Sequence, residues 1–222
     1  GKKILDKDKR EITSSKKFTV NDSDGYVSVD FALDSSSLSG KSIVIFETLY
    51  DENGNEIAQH EDLNSKEQTI SFAEIHTTAT DKNTGTHAGV VGSETTITDK
   101  VDYKGLVPGE KYLFTGVLMD QSTNEKYLDK NGKEVTVSKE FIPETESGVV
   151  NIDFVLDSSL LSGKTLVVFE TVYSEKDNAK INVASHHDIS SKTQAIYFPE
   201  IHTTATIDNA KSINERGEVV LN

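Results

Sequence analysis

Residues that sit awkwardly in apolar strands occur twice in this chain, at matching places. A glutamate closes an aliphatic run in VIFE (44–47) and again in VVFE (167–170), giving Glu47 and Glu170. A histidine stands eight residues before a glutamine in both copies, His60 before Gln68 and His186 before Gln194. A threonine-rich segment, EIHTTAT, follows each glutamine and carries Thr77 in the first copy and Thr203 in the second. Asp99 lies in TTITDKVDY (95–103), a segment present once. These residue types form a reactive set. A threonine hydroxyl is a nucleophile, a histidine can take its proton, and a carboxylate beside the histidine orients it and stabilises the imidazolium. A glutamine side chain offers an electrophilic carbonyl, and a buried acid that stays protonated can support the developing oxyanion. The product is a threonine–glutamine ester with loss of ammonia, made once, with proximity supplying much of the rate.

Such chemistry needs elements that aim these side chains at one another. Strand alternation assigns the faces. In EIHTTAT, Ile75, Thr77 and Ala79 share the more apolar face, which turns Thr77 inward and leaves the adjacent Thr78 as the other candidate. Gln194 shares a face with Ile196 and Phe198, and Gln68 with Ile70 and Phe72. Glu170 lies with Leu166, Val168 and Val172, Glu47 with Ile43, Ile45 and Leu49, and Asp99 with Ile97, Val101 and Tyr103. Burying such groups costs several kcal/mol unless they find partners. Their simplest refuge is each other, so a convergent polar site inside the core is expected.

The elements are strands. YVSVDFAL (26–33), SIVIFETLY (42–50), EQTISF (67–72), TTITDKVDY (95–103), EKYLFTGVL (110–118), VVNIDFVL (149–156), TLVVFETVY (165–173) and TQAIYF (193–198) alternate or are rich in β-branched and aromatic residues. Turn sequences such as NDSDG (21–25), DENGN (51–55), DKNTG (81–85) and DKNGK (129–133) separate them. Short helical turns are expected at most over 33–41 and 156–164. The repeat period is about 126 residues (68 to 194, 77 to 203), which means an array of domains rather than a solenoid of small units. The chain divides into 1–73, the later part of a repeat; 74–199, a complete repeat; and 200–222, the start of a third. The fold class is all-β, with tandem immunoglobulin-like β-sandwich domains.

Composition narrows the function. The net charge of −14, from 37 acids against 23 bases, argues against binding nucleic acid, whose phosphates require basic neutralisation. It suits a soluble, self-repelling surface protein. With no cysteine, a disulfide or thioester is excluded, so an extracellular β-domain of this kind needs another cross-link.

VVFE and VIFE resemble the signature of the VaFE-repeat surface proteins of Gram-positive bacteria. The inward threonine, the aspartate of TDKVDY, the glutamate of the FE strand and the His-x7-Gln spacing together resemble the T-Q ester-bond domains of clostridial adhesins. The resemblance covers the whole chain. It implies immunoglobulin-like stalk domains, each locked by an autocatalytic ester between its first and last strands. Carried over, Thr77 and Gln194 form the cross-link, while His186, Asp99 and Glu170 promote it. Glu47, His60, Gln68 and Thr203 occupy the equivalent places in the partial repeats. No cofactor and no metal is implied. The partners implied are neighbouring repeats, with a host-surface ligand held by a domain outside this segment. The protein is expected to be extracellular and cell-wall anchored, with no membrane insertion here.

Rival readings are weaker on the residues. HHD (186–188) offers adjacent metal ligands, but the other copy reads HED (60–62) and there is no cysteine. A lysine–asparagine isopeptide requires an inward lysine in the first strand, and EIHTTAT has none. A carbohydrate- or matrix-binding module calls for aromatics clustered at a loop end, whereas the seven tyrosines and nine phenylalanines fall mostly in strands and tryptophan is absent. A turnover enzyme requires a cleft, and a site among core residues has none.

Overall fold

A computed structural model describes residues 2–176, 179–204, 210–213 and 219–221. Among these the structure is all-β. Four short strands come first: β1 (Ser42–Val44), β2 (Glu47–Tyr50), β3 (Glu56–His60) and β4 (Thr69–Ser71). Nine follow: β5 (Glu74–Asp81), β6 (Thr95–Lys104), β7 (Tyr112–Asp120), β8 (Glu125–Lys126), β9 (Thr136–Phe141), β10 (Ser147–Leu156), β11 (Thr165–Lys176), β12 (Ala179–His186) and β13 (Ala195–Tyr197). A final pair, β14 (Ala210–Ile213) and β15 (Val219–Leu221), lies within 200–222.

Strands β5–β13 form an immunoglobulin-like sandwich. One sheet has the order β10-β6-β5, the other β12-β11-β7-β8, with β9 on β7 and β13 on β11, all antiparallel. Period-two patterning accounts for the inner faces. In β6, Thr95, Ile97, Asp99, Val101 and Tyr103 are buried, while Lys100 and Lys104 are exposed. In β10 the same alternation buries Val150, Ile152, Phe154 and Leu156. These residues meet Phe114, Leu118, Leu166, Val168, Val172, Ile196 and Phe198 of the facing sheet in one apolar core.

Opposite Glu170 on the neighbouring strand sits Gly116. A Cβ placed there would lie 2.5 Å from Cζ of Phe154, a ring that belongs to the other sheet. The glycine is therefore the gap that Phe154 fills, on the same rung as a buried carboxyl. Gly116→Ala should destabilise the sandwich by about 1–3 kcal/mol, as overpacking does. Chemical denaturation checks this, and an unchanged midpoint refutes the packing role.

The last strand ties the sheets together. Thr193 O accepts from Ala79 N at 2.8 Å, while the next carbonyl, Gln194 O, accepts from Val168 N at 3.0 Å. Adjacent peptides of one segment thus bond to opposite sheets, which places Gln194 between them.

The first 72 residues repeat part of this plan in miniature. β1 pairs with β4 and β2 with β3. Glu47 faces His60 across the β2–β3 ladder as Glu170 faces His186 across β11–β12, and each ladder shifts register two residues later. Ile45 N donates to Gln68 O at 3.1 Å, repeating the Val168–Gln194 bond. Burial differs. Glu47 and His60 are exposed, whereas Glu170 is fully buried. YVSVDFAL (26–33), read as a strand, is not one. Its homologue β10 pairs with β6, and the first 72 residues contain no counterpart of β6 among those described. The expected turns at 33–41 and 156–164 are turns without helix.

The two units meet without a linker. Gly40 N donates to Phe72 O and Phe72 N to Lys41 O, both at 2.9 Å. One repeat later Gly163 N donates to Phe198 O and Phe198 N to Lys164 O at the same distances. Gly163 has φ +76°, and a Cβ there would meet the Glu200 carboxylate, as one at Gly40 would meet Glu74. Left-handed backbone and close approach both call for glycine at these two places.

Candidate functional site

Five of the residues singled out in the sequence converge between the sheets. Thr77, on edge strand β5, is 3% exposed. Its Oγ1 lies 2.9 Å from Nδ1 of His186, the last residue of β12. Thr78 turns to the other face and is only partly buried. Gln194, just ahead of β13, is wholly buried, and its Nε2 donates to Glu170 Oε2 at 2.7 Å. Asp99, also wholly buried, is the neighbour of Glu170 from the opposing sheet. Gln194 was expected inside a strand. It stands one residue before β13, where its backbone still pairs with β11.

The electrostatics follow from this burial. Glu170 is held well above the usual carboxylate range, first by burial and then by the facing Asp99, while Thr77 and Gln194 partly offset this as hydrogen-bond partners. Burial also raises Asp99, with Glu170 acting against it. Two desolvated carboxyls in contact cannot both ionise. Both oxygens of Asp99 and Oε1 of Glu170 lack a hydrogen-bond partner when both groups are charged. A single proton on Glu170 Oε1, donated to Asp99, satisfies that oxygen and one of the two on Asp99. His186 is shifted the other way: burial lowers it, with a smaller opposing pull from Asp188. A neutral imidazole is the form whose Nδ1 accepts the Thr77 proton.

The pairing of Asp99 with Glu170 changes one expectation. The sequence reading gave the carboxylate beside the histidine an orienting part, and Asp99 is the acidic residue that faces Glu170 instead. The titratable neighbours that act on His186 are Asp188, His76 and His187.

The buried acid pair has a measurable consequence in a variant that cannot react. In Thr77→Ala, Glu170 keeps its proton when folded but releases it above about pH 4.5 when unfolded. The folded state then binds more protons, so this group's contribution to stability falls as pH rises from 4.5 toward its folded value. His186 acts oppositely. Its folded value lies below 6.5, so its contribution is lost as pH falls through that window. Unfolding free energies of Thr77→Ala and Thr77→Ala/Glu170→Gln between pH 4.5 and 7 separate the two. The stabilising effect of Glu170→Gln should grow with pH; a pH-independent difference refutes the protonated acid.

Gln194 Oε1 has no partner in the present orientation. A half-turn about Cγ–Cδ keeps the same volume and exchanges the amide oxygen and nitrogen. One orientation presents the leaving nitrogen to Glu170, the other its carbonyl oxygen. Both contacts belong to acyl transfer: a protonated acid at the carbonyl oxygen stabilises the tetrahedral oxyanion.

Of the equivalent residues, Glu47 and His60 are paired but exposed. Gln68 is half-buried, and its side-chain nitrogen and oxygen have no partner. Thr203 is exposed outside any strand. Two surface hollows, of about 310 and 230 Å³, lie at the 35–74/183–185 junction and beside Gln121. Neither is lined by Thr77, Asp99, Glu170, His186 or Gln194. No group of three or more potential metal ligands occurs among the described residues.

A family profile described as "T-Q ester bond containing domain" matches residues 1–72 and again 73–198. No curated protein gives a significant match. Among solved structures, two crystal forms of a bacterial adhesin from Mobiluncus mulieris, described as containing intramolecular disulfide, isopeptide and ester bond cross-links, align at 19% identity with a TM-score of 0.45. One alignment covers 58% of this chain and 57% of that one; the other covers 67% and 71%. A glycosyl hydrolase family 2 member from Bacteroides cellulosilyticus aligns at 11% identity with a TM-score of 0.36, over 54% of this chain and 15% of that one.

Proposed function

The chain belongs to the T-Q ester bond containing domain family, and from that premise we propose that residues 74–199 cross-link themselves through a Thr77–Gln194 ester. The observation that carries this reading is the buried meeting of nucleophile, base, amide and acid: Thr77 Oγ1 at 2.9 Å from His186 Nδ1, and Gln194 Nε2 at 2.7 Å from Glu170 Oε2.

The steps balance without an outside reagent. His186 Nδ1 takes the proton of Thr77 Oγ1 as that oxygen attacks Gln194 Cδ. The amide oxygen takes up the electron pair and is stabilised by the protonated member of the Glu170–Asp99 pair. The tetrahedral centre collapses, His186 returns its proton to Nε2, and ammonia leaves. Charge develops away from water, where a fixed donor acts most strongly. Because the ester consumes the domain's own threonine and glutamine side chains, one turnover is all that the domain performs.

The reading extends to the whole protein as a stalk segment of a cell-wall-anchored adhesin of a Gram-positive bacterium, outside the cell. The tandem arrangement, the acidic surface and the lack of cysteine support it. An ester between first and last strands serves such a stalk because tension passes through a covalent bond rather than a ladder of hydrogen bonds. Intact mass tests the chemistry: the purified chain should be lighter by one ammonia than its sequence, and proteolysis should yield a joined peptide containing Thr77 and Gln194. A full sequence mass rejects the ester.

A further inference from the structure

We propose that His187 is a positioning residue for ester formation, a clip that holds the proposed base against the nucleophile; this rests on the ester reading above. The base sits at a weak point of the fold. His186 is the final residue of β12, and the Glu170–His186 rung is the last of its ladder. β12 forms the edge of its sheet, and its first four residues are exposed. Strand ends on sheet edges open most readily, because water can replace each lost backbone bond. Opening of this rung carries His186 Nδ1 away from Thr77 Oγ1.

The next residue opposes that opening from the other face. Successive side chains of an extended segment point to opposite sides, so with His186 turned inward His187 turns outward. There His187 Nε2 lies 2.9 Å from Thr171 Oγ1, and its ring stacks on Phe169, with centroids 5.2 Å apart and planes 16° from parallel. Phe169 and Thr171 flank Glu170 on β11. Three consecutive residues of β11 thus hold both sides of the site: Glu170 faces Gln194 inside, while its neighbours grip His187 outside. No step of the proposed chemistry uses this imidazole, and its stack and hydrogen bond are spent at the one place where the ladder ends. The first repeat has Phe46 and Thr48 at the corresponding positions, but Glu61 in place of His187. Glu61 cannot stack as an imidazole does.

The test compares rates of ester formation after a pulse of cell-free synthesis, followed by intact mass as one ammonia is lost. His187→Ala, which removes both contacts, and Thr171→Val, which removes the hydrogen bond alone, are compared with the unmutated chain. His187→Ala should slow formation about tenfold, the scale of one stack and one hydrogen bond, and Thr171→Val by less. His187→Gln, which can still bond to Thr171, should recover part of the rate. The same changes in a Thr77→Ala background should leave the unfolding midpoint nearly unchanged, which separates a local clip from general support. If the unmutated chain loses no ammonia, the ester reading itself fails. If it does and His187→Ala keeps pace with it, or if the midpoint in the Thr77→Ala background falls in step with the rate, the clip is refuted.

Discussion

Thr77→Ala should restore the full sequence mass and remove the largest single contribution to the stability of residues 74–199. The unmutated hydroxyl lies 2.9 Å from His186 Nδ1, and among the described residues no other threonine oxygen bonds to that imidazole. The ester closes a loop on the order of 100 residues. By the loop-entropy argument developed for disulfides, a cross-link of that span stabilises by about 4–5 kcal/mol, provided it fits the folded state without strain. Thr77 and Gln194 already sit at the site in the unlinked arrangement, so little strain is expected. The unfolding midpoint of Thr77→Ala should therefore fall by more than 10 °C, taking ~4–8 °C per kcal/mol for a domain of roughly this size. Calorimetry and intact mass together decide this. Thr78→Ala is the control, and should keep both the mass deficit and the midpoint. A deficit that survives Thr77→Ala and disappears in Thr78→Ala would move the nucleophile by one residue.

Glu170→Gln should fold and remain unlinked. The carboxyl is fully buried, it accepts from the amide that must react, and burial together with Asp99 keeps it protonated. A glutamine of nearly the same volume keeps the packing but removes the acidic proton. The amide N–H can still donate but is a far weaker acid, so the cost should approach that of losing one oxyanion donor, typically a hundred- to a thousandfold in rate, about 2.7–4 kcal/mol. The amide should also relieve the cost of burying an acid pair, so the variant should be more stable than Thr77→Ala, although both lack the ester. Full sequence mass with a cooperative unfolding transition is the expected result. Ester formation at the unmutated rate would remove Glu170 from the chemistry.

Much of this site was legible from alternation alone, because Thr77, Asp99 and Glu170 each lie on a strand whose inner face is apolar. The profile match to both segments agrees with the resemblance carried by VVFE and the His-x7-Gln spacing. What was not legible depends on which strands become neighbours. Alternation turns Asp99 inward but does not say which carboxyl lies beside the histidine; β6 is the middle strand of its sheet, and Asp99 faces Glu170 across the core. β12 escaped notice as a strand because edge position leaves Ala179–Asn182 exposed, which erases the apolar alternation that marks inner strands. β3, β8 and β9 were missed for the same reason, each being largely exposed. The outward role of His187 had one available clue: adjacent residues in HHD must face opposite ways, so only one of the two histidines can enter the core.

The linker-free junction acquires a further meaning once the esters are counted as part of the covalent path. Gln68 and Thr77 are nine residues apart, and so are Gln194 and Thr203 (68 to 77, 194 to 203). With every repeat closed, a pull along the array leaves one glutamine side chain, follows the backbone for nine residues, and enters the next threonine side chain. Everything between Thr77 and Gln194 hangs off that path as a slack side loop. Nine residues reach at most about 30 Å when fully extended, and the Gly163–Phe198 and Phe198–Lys164 bonds tie that stretch back onto the sandwich it leaves. If the proposed ester closes every repeat, the array becomes a chain of short backbone links joined by esters, with each sandwich serving as a housing that keeps water from its own weld.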